Sequence, residues 1–85
     1  MNAFGRAPVD EMSLLGWLHN LGATDEERAL TAGELAERMG LDPQDAWNYL
    51  EKLIELEYIS ALREDGDTRF YLNPQGILRV ARTYT

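Results

Sequence analysis

The sequence predicts a mainly α-helical domain that closes with one β-hairpin wing and a final short helix. Three observations predict it. Helix starts are written out at Thr31, Asp42 and Asn73, each followed by residues that a first helical turn prefers. Only Leu41 separates Gly40, which can end one helix, from Asp42, which can cap the next. After Tyr58 the apolar residues stop recurring at steps of three and four, and β-prone residues surround an Asp-Gly dipeptide.

Residues 1–8 read as a flexible leader and residues 9–85 as a single domain. Pro8 suits the first position of a helix. Met12, Leu14, Leu15, Trp17, Leu18 and Leu21 then form a helical stripe, which Asn20-Leu21-Gly22 stops. Residues 23–30 read as a polar connection. Thr31-Ala32-Gly33-Glu34 is a capping box: the threonine hydroxyl accepts from the Glu34 amide while the glutamate reaches back. Leu30 and Leu35 have the spacing of a hydrophobic staple across it. A helix over 32–39 follows, with Leu35, Ala36 and Met39 inward.

Asp42 and Pro43 start a third helix over 43–57, whose core face is Ala46, Leu50 and Leu53. Residues 59–62 read as a strand, Glu64-Asp65-Gly66-Asp67 as a turn and residues 68–72 as the return strand, so the wing occupies 59–72. Asn73-Pro74 repeats the cap-and-proline start, and 74–83 carries Ile77, Leu78, Val80 and Ala81 on a last helix.

Composition narrows the chemistry. The chain has 85 residues, 45% of them apolar and 27% charged, which suits one small core. It has no cysteine, so neither disulfides nor thiolate chemistry is expected. One histidine, His19, and two serines, Ser13 and Ser60, leave almost no room for a catalytic triad and none for a histidine zinc site. His19 suits a cap of helix-end carbonyls or a dimer surface. The acidic runs 25–27 and 64–67 lack the spacing of a calcium loop. No glycine-rich phosphate loop is present. The reading is therefore not an enzyme, with no cofactor and no metal. No apolar run approaches the ~20 residues that span a bilayer. The expected location is the cytoplasm, with no membrane partner.

Helix, helix, glycine turn, helix, hairpin, helix is the order of a winged helix-turn-helix. Residues 30–41 (LTAGELAERMGL) resemble the first half of that motif in MarR- and ArsR-type transcriptional regulators. Residues 42–53 resemble their recognition helix. Arg69-Phe70-Tyr71-Leu72-Asn73-Pro74-Gln75-Gly76 resembles their return strand and the proline-x-glycine step after it.

The resemblance implies a DNA-binding regulator of double-stranded DNA, with helix 43–57 in the major groove and the wing on the backbone. Carried over, Gln44, Asp45, Trp47, Asn48 and Lys52 face the groove, with Tyr49 beside them. Gln44, Asn48 and Tyr49 would read bases. Lys52, Arg63 and Arg69 would meet phosphates, and so would Thr31 with its neighbouring amides. A homodimer built on the first and last helices is implied as well, with Arg79 and Arg82 near the flanking backbone.

The charge pattern points elsewhere. Net charge is −7. Residues 31–59 hold seven acids and two bases, and only residues 60–85 have a basic surplus. Phosphate neutralisation supplies much of the affinity of DNA binders, yet residues 42–52 carry three acids and one base. Arg63 and Arg69 flank a wing turn that carries three acids, and pairing with those acids suits them equally well.

Trp47 and Ile54, seven residues apart, share one flank of the third helix. Left bare, they would form a protein contact together with Asp45 and Glu51. Covered by Ile77, Leu78, Val80 or Tyr84, they would be core. Glu57 stands where the family commonly has glycine. At the level of sequence a second reading stays open: a winged-helix interaction module, a subunit or adaptor whose acidic helix face binds a protein partner instead of DNA. A mimic of nucleic acid is a third.

Overall fold

The computed structural model describes residues 10–83. The leader 1–8, Val9 and Tyr84 lie outside the described residues. Among those described, the helices are α1 (Glu11–Asn20), α2 (Ala32–Met39), α3 (Pro43–Glu55) and α4 (Pro74–Thr83). The strands are β1 (Leu30–Thr31), β2 (Ile59–Glu64) and β3 (Asp67–Leu72).

Helix α1 opens at Glu11, where the Asp10 carboxylate caps it by accepting from the Ser13 amide at 2.9 Å; Pro8, the expected start, lies outside the described residues. It ends at Asn20, and the chain turns away at Gly22, whose φ of 80° only glycine adopts without cost. The polar connection that follows is more ordered than its composition implies. Asp25 caps a single 3-10 turn, Glu26–Arg28, and Leu30–Thr31 then pairs antiparallel with β3. The wing hairpin β2–β3 therefore belongs to a three-stranded sheet in the order β1-β3-β2. A two-residue strand carries too little pattern to be read from sequence.

Both bonds of the α2 capping box form: Glu34 N to Thr31 Oγ1 at 3.0 Å and Thr31 N to Glu34 Oε1 at 2.9 Å. Gly40 turns the chain left-handed, and Asp42 caps α3 through the Gln44 amide at 2.8 Å. Helix α3 stops at Glu55, two residues short of the expected 57. There the Glu57 and Tyr58 amides fold back onto the Ile54 and Leu53 carbonyls, a Schellman closure. That closure holds Glu57 at φ 65°. Asn73 then locks the corner. Its Nδ2 donates to the Glu57 carbonyl, and its Oδ1 accepts from the Gly76 amide at the start of α4, both at 2.9 Å.

Strand β2 runs two residues beyond Leu62, to Glu64, and pairs with β3 from Ile59↔Leu72 out to Glu64↔Asp67. Asp65 (φ 53°) and Gly66 (φ 84°) supply the two positive φ values of a type I′ turn. Leu14, Leu15 and Leu18 of α1 form one buried cluster with Leu35, Leu50, Leu53, Ile59, Phe70, Leu72 and Val80. Trp17 (40% exposed), Ile77 and Leu78 (56% exposed) stay outside it, although each continues an apolar stripe in the sequence.

Candidate nucleic-acid interface

Helix α3 buries Ala46, Leu50 and Leu53, so at 100° per residue its opposite face is Gln44, Asn48, Glu51 and Glu55. All four are exposed. Gln44 Nε2 donates to Asn48 Oδ1 at 3.2 Å, so the two amides form one unit on the outer surface. Asp45 and Lys52 occupy one flank and Trp47 and Ile54 the other. Lys52 is the only cation on the helix, and Asp45 stands two turns before it on the same flank. Tyr49 does not join the outward row. It is half-buried and packs against the core.

The wing separates its two arginines. Side chains opposite each other in an antiparallel ladder share a face, and the face alternates along the strand. Arg63 pairs with Thr68 and lies on the same face as Ala61, Phe70 and Ile59, the face turned towards the helices. Its Nη1 donates to Thr68 Oγ1 at 3.4 Å. Arg69 pairs with Leu62 and Thr31, on the other face. There its Nη1 lies 3.6 Å from Glu34 Oε1, and it shares a shallow cleft with Glu26, Glu27 and Glu64. The arginines that flank the turn in sequence do not form one basic band.

Thr31 is half-buried, and its hydroxyl and amide both serve the capping box. The sequence signal for Glu34, the box itself, identified a cap but not a partner for Arg69. That pairing needs the β1–β3 register.

Trp47 and Ile54 are only partly covered, and Tyr84, one expected cover, lies outside the described residues. They are 36% and 38% exposed. The Trp47 ring meets Phe70 of β3 edge-on, with centroids 5.5 Å apart and planes at 81°. The indole is thus anchored from below by a core aromatic and open above, between α3 and the wing. Asp45 and Glu51, the acids expected beside it, are both exposed.

Among the described residues no group of three or more His, Asp or Glu side chains is placed to hold a metal ion. No helix among them is long and apolar enough to cross a membrane.

These elements define a winged helix-turn-helix, with α2 and α3 as the helix pair and β2–β3 as the wing. No family model and no curated protein sequence matches the chain. Solved structures do. TubR from Bacillus megaterium pBM400 superposes with a TM-score of 0.78 at 19% identity, covering 98% of this chain and 92% of that one. The DNA-binding TubR fragment from Clostridium botulinum gives 0.76 at 22% identity, covering 92% and 98%. A MarR family protein from Bacillus stearothermophilus gives 0.72 at 20% identity, covering 92% of this chain but only 53% of that one. The fold is thus MarR-like, and the chain spans about half the length of that MarR family protein.

Proposed function

We propose that this chain is a small DNA-binding transcriptional regulator that acts as a homodimer in the cytoplasm and works by binding, not catalysis. One observation carries the reading. The outward row of α3 begins with two linked amides, Gln44 and Asn48, at the position where this fold presents side chains to a major groove. The likeness to a DNA-binding TubR fragment of almost the same extent supports it. Asn48 and Gln44 read base edges. Lys52 and Arg63 meet phosphates, with Thr31 at the start of α2 as a lesser contact. Arg69 and Tyr49 fall away from this set, one paired on the far face of the wing and the other packed against the core.

A single winged helix makes few phosphate contacts, so tight binding calls for two. Trp17 on α1 and Leu78 on α4 supply exposed apolar surface for a dimer. A groove lined by Met12, Gly16, Trp17, Arg79 and Val80 runs between these helices.

The test is titration of a labelled random duplex at low salt, with sedimentation of the free protein. Saturable binding that Lys52→Glu weakens at least severalfold supports the reading. Absence of binding at high micromolar concentration overturns it.

A further inference from the structure

The flank of α3 that carries Trp47 and Ile54 has a composition that no phosphate backbone matches. Trp47, Glu51 and Ile54 follow one another at steps of four and three and form one ridge, and Glu55, four residues beyond Glu51, borders it where the flank meets the outer face. Trp47 and Ile54 remain more than one-third exposed. Phe70 beneath the indole restrains it in that position. Beyond Ile54, Glu57 lines a hollow with Ile59 and Pro74 and adds a further carboxylate at the same end. Lys52, the one cation of the helix, lies on the opposite flank.

Two partly exposed apolar side chains, one of them anchored on a core aromatic, with carboxylates along their border suit a protein contact. The sign selects the partner. Phosphates are repelled, whereas lysine and arginine side chains find Glu51, Glu55 and Glu57 within reach of the apolar contacts. The spacing selects further. Trp47 and Ile54 are two turns apart, about 10 Å along the helix axis.

We propose that this ridge binds a basic segment of a partner protein, one that carries two apolar side chains about 10 Å apart with lysine or arginine between them. The inference goes beyond the DNA reading and does not rest on it.

The test uses the full chain with Trp17→Phe, so that Trp47 is the only indole. The probes are two synthetic peptides of identical composition on an alanine background, with two leucines and four lysines each. In one, the leucines stand seven residues apart and flank the lysines; in the other, they are adjacent. Titration of the first should shift Trp47 emission to the blue and saturate, at least tenfold tighter than the second. Glu51→Lys with Glu55→Lys should remove that binding. The matched reversal Glu26→Lys with Glu27→Lys, on another surface, should leave it unchanged.

Ile54→Ser reads the same contact if the double variant does not fold, and should weaken the first peptide at least tenfold. Equal affinity for both peptides, or equal loss from both charge reversals, would show mere charge attraction and overturn the proposal. So would conversion of a dimer to a monomer by Ile54→Ser, which would make a second copy the occupant. No DNA is present in the titration, so its failure and the failure of DNA binding are separate results.

Discussion

Arg69 reaches from the wing to Glu34 on α2, Nη1 to Oε1 at 3.6 Å, and the same oxygen accepts the Thr31 amide. One carboxylate therefore closes a helix cap and neutralises a wing cation. The two roles differ in weight. The ion pair is open to water, and such pairs contribute about 0.2–1 kcal/mol. The cap satisfies an otherwise orphaned amide and contributes about 1 kcal/mol. Glu34→Ala should thus lower the melting temperature by about 5 °C, since 1 kcal/mol moves a chain of this size by that amount. Arg69→Ala should move it by less than about 3 °C. Thermal melts of both variants check the order; a larger effect from Arg69→Ala would contradict it.

Gly76 sits where α4 crosses the exit of α3. A Cβ there would overlap the Tyr58 carbonyl and come within 2.9 Å of Leu72 Cδ2. Both neighbours are fixed, the first by the Asn73 amide and the second by burial. Gly76→Ala should destabilise by more than about 2 kcal/mol. Gly33 makes the opposite case: the nearest atom to its Cβ would be Thr31 Oγ1 at 3.9 Å. Gly33→Ala in the first turn of α2 should add about 0.5 kcal/mol through helix propensity. Urea denaturation of the pair decides both signs.

Glu57 occupies the left-handed region at φ 65°, which costs a residue with a Cβ about 1 kcal/mol. The bonds around it use only its main chain: its amide to Ile54 and its carbonyl to Asn73. Glu57→Gly keeps both and relieves the strain, so it should stabilise by about 0.5–1 kcal/mol. Glu57→Ala, which keeps the Cβ, should bring no gain. Equal stability of the two variants would show that the position is unstrained.

That corner also marks where the sequence stops being legible. The caps at Thr31, Asp42 and Asn73 are local chemistry, and each forms as its residues dictate. The type I′ turn at Asp65-Gly66 is local as well. The end of α3 is not, because helix and Schellman closure differ only in where the amides of Glu57 and Tyr58 find carbonyls. Strand β1 exists only because Phe70 and Arg69 lie opposite it. The site follows the same division. The outward row and its flank on α3 follow from period alone, so Gln44 and Asn48 on the row and Lys52 and Asp45 on the flank are readable. The opposed faces of Arg63 and Arg69 follow from the two-residue turn, which sets 63 opposite 68 and 62 opposite 69, whereas the exposure of Trp47 depends on how α3 meets β3. That exposure has no signal in the sequence.

The Asp10 carboxyl is held below the usual carboxylate range, first by the Ser13 amide and then by the Ser13 hydroxyl, both of which favour the charged form. A depressed folded-state value means that the cap's contribution is complete above the unfolded-state value and is lost as pH falls through the folded one. Asp10→Asn keeps an acceptor but removes the titration. The stability of this variant should therefore vary less with pH than that of the parent on the acid side, while the two run parallel near neutrality. Carboxyl chemical shifts followed through an acid titration check the direction independently; an Asp10 midpoint above that of exposed aspartates would refute it.

The two wing arginines give the sharpest division for the DNA reading. Arg63 lies on the face shared with Ala61 and Phe70, the face turned towards the helices, and it donates to a neutral hydroxyl, that of Thr68. Arg69 lies on the other face with Glu34 beside it. A duplex seated on α3 meets the first and not the second. Each lost phosphate contact lowers the salt slope of binding by about one unit per protomer. Arg63→Ala should therefore weaken duplex binding and flatten its salt dependence by about that amount, whereas Arg69→Ala should leave both nearly unchanged. The absolute slope should itself be small, a few units per protomer, because Lys52 and Arg63 are the main cations on that side and Asp45, Glu51 and Glu55 oppose them. Binding isotherms at several salt concentrations for the parent and the two variants make the comparison. A loss from Arg69→Ala as large as that from Arg63→Ala would mean that the duplex approaches the other face of the wing.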